Sequence, residues 1–482
     1  VDMKKFWVCS FVMLSVFGAA AAASANDGDL DLTWGGTGTV NVNISNEDYV
    51  VKTVAYGTAR VEAIGSVEVG AGPAMAMLLM RFQSDGSLDT SCNGSGYSMF
   101  TTVDPTTATD VAVLEDGSTL VAGVTFGTNP SGVVVKFLPN CQLDMSFGTG
   151  GVLIYSDRQG TSFTSIDVLD DNSIIVGGFT NFAPADGGGT RFTVLRATSA
   201  GSLDISFGNN GNGVFLSDGN HIGVVNDLFV DGQDRIIFVG TREFGGTDDV
   251  AIARLTASGQ LDTSYASSGW HSPNGPEDER LLAVAPRPAG GLISVGSEVS
   301  TTSSHFGATL LCLTTAGLVD SSCGVPGVVT GLAVPAGVVD TLFWGVVVDD
   351  IGRFVISGSY DDPNVSGGQI TPMVVRLGAN GGIDTTFGTQ GLVTLPFSPG
   401  HATNISLDKV GRVVVGGHRF GMSTIEGPIT RLTGTTSTTT STIAPSLLPA
   451  TGRTVDATTP IVIVLFGLVL LVVRRVRAQS AQ

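Results

Sequence analysis

The chain has 482 residues, 66 of them glycine, with 24 basic and 43 acidic side chains and a net charge of −19. So acidic a balance excludes a nucleic-acid binder, which needs clustered cations. The glycine count fits an all-β chain full of turns, and the five cysteines include no CxxC pair, which argues against zinc.

In chain order, Met3-Lys4-Lys5 opens a basic start, residues 6–18 are apolar, and Ala23-Ser24-Ala25 closes a run of small residues. That pattern predicts a secretory signal peptide over 1–25, with an apolar stretch too short to span a bilayer. Next, Asp27-Gly28-Asp29-Leu30-Asp31 alternates carboxylates like the opening of a calcium loop but lacks its later Gly and Glu. Calcium at this point is the one cofactor weighed; none is otherwise expected.

From residue 30 one phrase returns seven times, apolar-Asp-x-Ser/Thr-aromatic. It runs Leu30-Asp31-Leu32-Thr33-Trp34, Leu88-Asp89-Thr90-Ser91-Cys92, Leu143-Asp144-Met145-Ser146-Phe147 and Leu203-Asp204-Ile205-Ser206-Phe207. It continues as Leu261-Asp262-Thr263-Ser264-Tyr265, Val319-Asp320-Ser321-Ser322-Cys323 and Ile383-Asp384-Thr385-Thr386-Phe387. Successive Asp residues are 58, 55, 60, 58, 58 and 64 apart, the mark of an array of one supersecondary unit. Seven copies of a catalytic Asp make little sense, whereas seven turn locks do: an Asp two residues before Ser/Thr accepts backbone N–H bonds.

Each unit carries four strand signals, read in the second at 97–103, 110–114, 119–125 and 133–138, and in the third at 152–155, 165–169, 173–178 and 192–197. A tight polar hairpin joins the middle two, as at 115–117, 170–172, 231–234, 349–352 and 408–411. Repeated four-stranded antiparallel units predict a seven-bladed β-propeller over 26–432, with an open stack of the same units as the alternative. A cation stands eight residues before most motif Asp residues: Arg81, Lys136, Arg196, Arg254 and Arg376, with Cys312 the exception. Asp31 has no such strand before it, and the strand holding Arg431 has no motif after it. Joining Arg431 to Asp31 would close the ring through N- and C-terminal strands and leave no free edge.

Cys9 leaves with the signal peptide. Cys312 and Cys323 flank one strand-to-motif connection and form the best disulfide candidate, which leaves Cys92 with Cys141 across adjacent units; four buried thiols are the alternative. With strands alternating up and down, the long connections gather on one face, which is the expected recognition surface. Its candidates are Phe244, Trp270, His271, Tyr360, Asp361, Asp362, His418, Arg419 and Phe420. No HExxH, GxSxG, Walker loop or helix-opening GxGxxG occurs, and His221, His271, His305, His401 and His418 are scattered over different units, so no enzyme is expected.

Residues 433–447 are a Thr/Ser-rich spacer that cannot pack a core. Then follow Leu448-Pro449-Ala450-Thr451-Gly452, an apolar run over 460–473 and Arg474-Arg475-Val476-Arg477. This order resembles the LPXTG cell-wall sorting signal of Gram-positive bacteria, over 448–482. The resemblance implies cleavage by a sortase between Thr451 and Gly452 and an amide bond from Thr451 to peptidoglycan, with only transient contact with the membrane. Trimmed of both ends, the chain keeps 18 basic and 41 acidic residues, a net charge of −23.

The repeats resemble the bacterial delta-60 repeat family, through Arg81-Phe82-Gln83-Ser84-Asp85-Gly86-Ser87-Leu88-Asp89 and Arg196 to Gly208, over about residues 30–432. That likeness implies a propeller-like surface or secreted protein and supplies no activity. The resulting expectation is a wall-anchored surface protein that binds an extracellular glycan or protein through its long-loop face. The alternatives are an extracellular carbohydrate-active hydrolase or lyase on the ring, and a passive spacer.

Overall fold

The computed structural model describes residues 26–434 apart from 46–47, 58–59, 70–74, 210, 245, 274, 276, 301–304, 324–328, 333–337, 339, 363–368 and 421–424. The expected signal peptide, the spacer beyond residue 434 and the sorting signal with Leu448, Pro449, Ala450, Thr451 and Gly452 lie outside the described residues.

Seven four-stranded antiparallel sheets follow one another as blades. Blade 1 spans 48–100, blade 2 106–155, blade 3 161–216, blade 4 223–271, blade 5 278–332 and blade 6 341–394. Blade 7 takes three strands from 400–432 and its outermost strand, Thr39–Val42, from the other end of the chain. Thr39 pairs with Thr430 and Val42 with Gly427. The first strand of each blade packs on the first strands of its neighbours, which makes it innermost.

The apolar core lies between the blades. Seven buried clusters each join two adjacent blades, such as Ile174, Val176 and Phe163 with Phe147 between blades 2 and 3, and Ile175 and Phe192 with Phe238 between blades 3 and 4. Strand alternation sends successive side chains of one strand to opposite clusters, so every blade is buried on both faces. Each innermost strand also carries one bulge, for example between Ala108 and Asp110 and between Phe343 and Gly345. The bulge presses an inner carbonyl onto the second strand, where only glycine fits: a Cβ on Gly65 or Gly240 would lie 1.9 Å from the oxygen of Tyr49 or Val224.

Past the bulge, polar side chains tie blade to blade. Lys52 pairs with Asp110 at 2.8 Å, and the Ser165 hydroxyl meets Asp110 and Asp227 at 3.0 Å each. Asn404 accepts the Thr53 amide across the closure at 2.9 Å.

The Asp motif connects the third and fourth strands and locks each blade to the next. In blade 4, Asp262 Oδ1 accepts the Ser264 amide and hydroxyl at 3.1 and 2.6 Å. Arg254 donates to Asp262 at 2.8 Å and lies 4.5 Å from the Tyr265 ring centre. Its other arm donates to the Thr315 carbonyl of blade 5 at 2.6 Å. Arg376 with Phe387 and Arg431 with Trp34 repeat the stack at 4.6 Å each. The closing pair forms as the spacing requires, Arg431 donating to Asp31 at 2.8 Å. The Ser206 hydroxyl bond holds the Asp204 carboxyl below its ordinary range.

Two cysteine pairs take the place of this lock. Cys312–Cys323 links the Arg position to the aromatic position within blade 5, and Cys92–Cys141 links the aromatic position of blade 1 to the turn of blade 2.

Three expectations need correction. The sequence read 97–103 as the first strand of a unit; Tyr97–Phe100 is the outermost strand of the preceding blade. Innermost strands begin earlier than read, at Thr106 and Thr161, because their polar first halves make interblade bonds. Arg81 turns from Asp89 to the buried Glu62 carboxylate at 2.7 Å, whose other oxygen accepts the Thr119 hydroxyl. The carboxylates of the calcium-like opening have protein partners: Asp27 receives Arg376, Asp29 the Asn26 amide, and Asp31 both Thr33 and Arg431.

Candidate functional site

The hairpins and Asp motifs occupy one face of the ring, and the two longer sets of connections the other. On that second face the structure brings together part of the sequence-chosen surface, at the junction of blades 6 and 7. His401, second in the innermost strand Gly400–Leu407, pairs across the blade with His418. Their rings are 5.1 Å apart, and Phe420 lies edge-on to both at 5.5 and 4.9 Å. Trp344, the bulged residue of blade 6's innermost strand, meets His401 edge-on at 5.5 Å.

One polar chain runs through the cluster. The Trp344 indole N–H donates to Ser359 Oγ at 3.3 Å, and Ser359 Oγ lies 2.7 Å from His401 Nδ1. An indole N–H only donates, so Ser359 Oγ accepts from Trp344, and its bond with His401 Nδ1 runs in the direction the imidazole tautomer sets. Burial pushes the His401 pKa down to about 4. Burial and the neighbouring imidazole push His418 down to about 3. Both rings are therefore neutral at physiological pH. Trp344 and Phe420 are half-buried, whereas His418 is buried and its Nε2 has no partner among the described residues. Arg419 and Glu426 form an outer ion pair at 3.5 Å.

The other candidates divide. Asp361 is next to last in the second strand of blade 6, with Oδ1 buried and no partner for it among the described residues. Tyr360 is buried in the core between blades 5 and 6. Trp270, 7% exposed, packs between Phe192 and Phe238 and stacks flat on His221 at 4.4 Å. His271 meets the Gly317 backbone of blade 5's turn, and burial lowers its pKa. Trp270, His271 and Tyr360 thus leave the recognition surface because packing claims them. The side chains of Phe244 and Asp362 lie outside the described residues. Sequence reasoning missed Trp344, Ser359 and, as a site residue, His401.

These features define the class of protein: an all-β, seven-bladed propeller with two disulfides. Disulfides persist in oxidising compartments, which is consistent with an extracellular protein. The family model "Domain of unknown function (DUF5122) beta-propeller" matches residues 169–207 and 234–265. No curated protein matches the chain in sequence. Among solved structures, polysaccharide lyase Uly1 aligns at 9% identity and TM-score 0.45, covering 82% of this chain and 91% of that one. The Bacillus subtilis arabinanase Arb43A aligns at 9% and 0.32, covering 56% and 93%. A Dyadobacter fermentans protein of unknown function aligns at 12% and 0.36, covering 82% and 100%.

The expectation of a non-enzyme is corrected here. The propellers with which the chain aligns include polysaccharide lyases and arabinanases, and a missing linear motif is by itself no ground for excluding catalysis, since a propeller can assemble a site from distant loops. At these identities the likeness is one of fold and carries over no residue.

Proposed function

We propose that this is an exported propeller that takes an extracellular saccharide at the blade 6–7 junction of its long-loop face. The observation that carries the reading is the half-buried pair Trp344 and Phe420 flanking a neutral His401. Aromatic walls with a few fixed polar groups suit a sugar ring, which offers both apolar faces and hydroxyls. A specific observation favours cleavage as a second reading: Ser359 holds the His401 ring through Nδ1, and an oriented neutral imidazole can exchange a proton with a bound ligand. The C-terminal pattern adds the proposal that a sortase joins Thr451 to the wall.

The test uses residues 26–446, the closed ring with its spacer, on an array of glycans and wall polymers, with bound material analysed by mass spectrometry. Retained intact saccharide, lost in Trp344→Ala, supports binding. Shortened products, lost in His401→Ala, support the second reading. Retention unchanged in both variants overturns the site. Anchoring is tested separately: Leu448→Ala is expected to release the chain into the medium.

A further inference from the structure

We infer that the long-loop face carries a second ligand site at blade 3, built for the oxyanion of an acidic saccharide, a carboxylate or a sulfate. In a seven-bladed ring blade 3 stands opposite the junction of blades 6 and 7, so this site is separate from the one proposed above and does not depend on it.

The site is built around Arg191, second in the strand Thr190–Ala197 and 5% exposed. Its Nη1 donates to the Gly188 and Thr190 carbonyls at 3.0 and 3.3 Å. Nε and Nη2 have no acceptor among the described residues, and neither is sealed from solvent. That edge of a guanidinium is the one that grips two oxygens of an anion at once. Elsewhere in the chain it is closed by a carboxylate: Arg81 turns it to Glu62, Arg235 to Asp231 and Arg280 to Asp248.

No carboxylate pairs with Arg191 among the described residues. Asp218, on the neighbouring loop, is taken by the ring and amide of His221 and by the Asn220 amide. Burying a cation without a counter-charge is costly. The face of Phe182, its centre 4.9 Å from the Arg191 guanidinium carbon, offsets part of that cost. A second guanidinium, that of Arg158, lies 5.4 Å from the same ring centre and meets Asp157 only at 3.7 Å. Two cations thus gather at one aromatic ring in a chain of net charge −19.

Glycines keep the space beside the guanidinium open. A Cβ on Gly187 or on Gly219 would lie 3.6 Å from Nη2. Gly187 is needed for its turn, at φ 95°, whereas the backbone of Gly219 makes no such demand.

The repeats supply an independent sign. At the place on the third strand that Arg191 holds, the other blades carry Ala76, Ser131, Asp249, Gly307, Thr371 and Glu426. Blade 3 alone has a cation there, so the packing of a blade does not require one.

The experiment is titration calorimetry on residues 26–446 with glucuronate, glucose 6-sulfate and glucose at constant ionic strength. At least one acid is expected to bind more tightly than glucose, and which one does so tells carboxylate from sulfate. Arg191→Gln is expected to weaken that acid about tenfold or more and to leave glucose as it was. Gly219→Ala keeps the arginine and an unstrained backbone; its methyl group is expected to weaken the acid while the melting temperature of the free protein stays the same. Failure of both acids at ~10 mM, an acid no tighter than glucose, or undiminished acid binding in either variant overturns the proposal.

Discussion

Replacing Arg431 by Met tests whether ring closure is the cohesive point of the fold. Arg431 is 1% exposed. It donates to Asp31 at 2.8 Å and Thr33 at 3.0 Å, and its guanidinium lies 4.6 Å from the Trp34 ring centre. All three partners sit in the segment that leads into the N-terminal strand of blade 7. Burial alone would push the Asp31 pKa up, yet bonds from Thr33 and Arg431 leave it below its ordinary value, so the carboxylate stays charged. Methionine keeps much of the volume and leaves that buried carboxylate only Thr33 and the longer contact with Arg412 at 3.7 Å, a loss worth up to about 3–5 kcal/mol. A ring of roughly 400 residues has an unfolding entropy near 0.85 kcal/mol/K, so the melting temperature should fall by up to about 4–6 °C. Arg196→Met is the matched control, an internal lock with a more exposed guanidinium 3.2 Å from Asp204, expected to cost about 1 kcal/mol. Calorimetry reads the melting temperatures, and limited proteolysis reads release of residues 26–44. Equal losses in the two variants, or no early cleavage near the N-terminus of Arg431→Met, would refute the reasoning.

Chain entropy ranks the disulfides: Cys92–Cys141 closes 49 residues and Cys312–Cys323 closes 11. Paired Cys→Ser variants should therefore lose about 4 and about 3 kcal/mol in urea unfolding, and the reverse order would count against that account. His401 and His418 have folded pKa values depressed to about 4 and about 3. Between those values and the unfolded value the denatured chain binds more protons, so stability rises with pH there, and each ring costs about 2 kcal/mol at pH 5. His418→Phe should reduce the pH dependence of the unfolding free energy between pH 4.5 and 6.5; an unchanged slope removes the cause. Glu279 behaves oppositely: burial first, then Asp249 and Glu298, raise its pKa to about 7. Its contribution is present below the unfolded value and lost as pH rises through about 7, so Glu279→Gln should gain about 1–3 kcal/mol at pH 8 and little at pH 5.

The ring was legible because each junction needs the same lock. Arg254, Asp262 and Tyr265 act together across a blade boundary, so the phrase must recur wherever a boundary does, and its spacing counts the blades. The phase of the strands was less legible. Innermost strands open with segments such as Thr106-Thr107-Ala108-Thr109-Asp110, which read as polar loop; their polarity serves interblade contacts such as Lys52 with Asp110. Arg81 misled for a related reason: spacing along the chain sees Asp89 but not Glu62, brought beside it by the neighbouring strand.

The candidate site was legible only in outline. Loop length pointed to Asp361, His418, Arg419 and Phe420, since unequal connections on a regular ring mark the face free to vary. Ser359 and His401 meet across a blade boundary 42 residues apart, a separation no linear motif encodes. Trp344 lay hidden in an apolar strand, although the repeats held a signal. Its bulge position is Val51, Thr109, Thr164, Asn226, Leu282 and Thr403 in the other blades. An aromatic ring in that column has no structural work that six smaller side chains do not already do. A repeat protein is therefore best searched for function by asking where one copy departs from the rest. Trp344 departs in blade 6 and Arg191 in blade 3, both on the long-loop face.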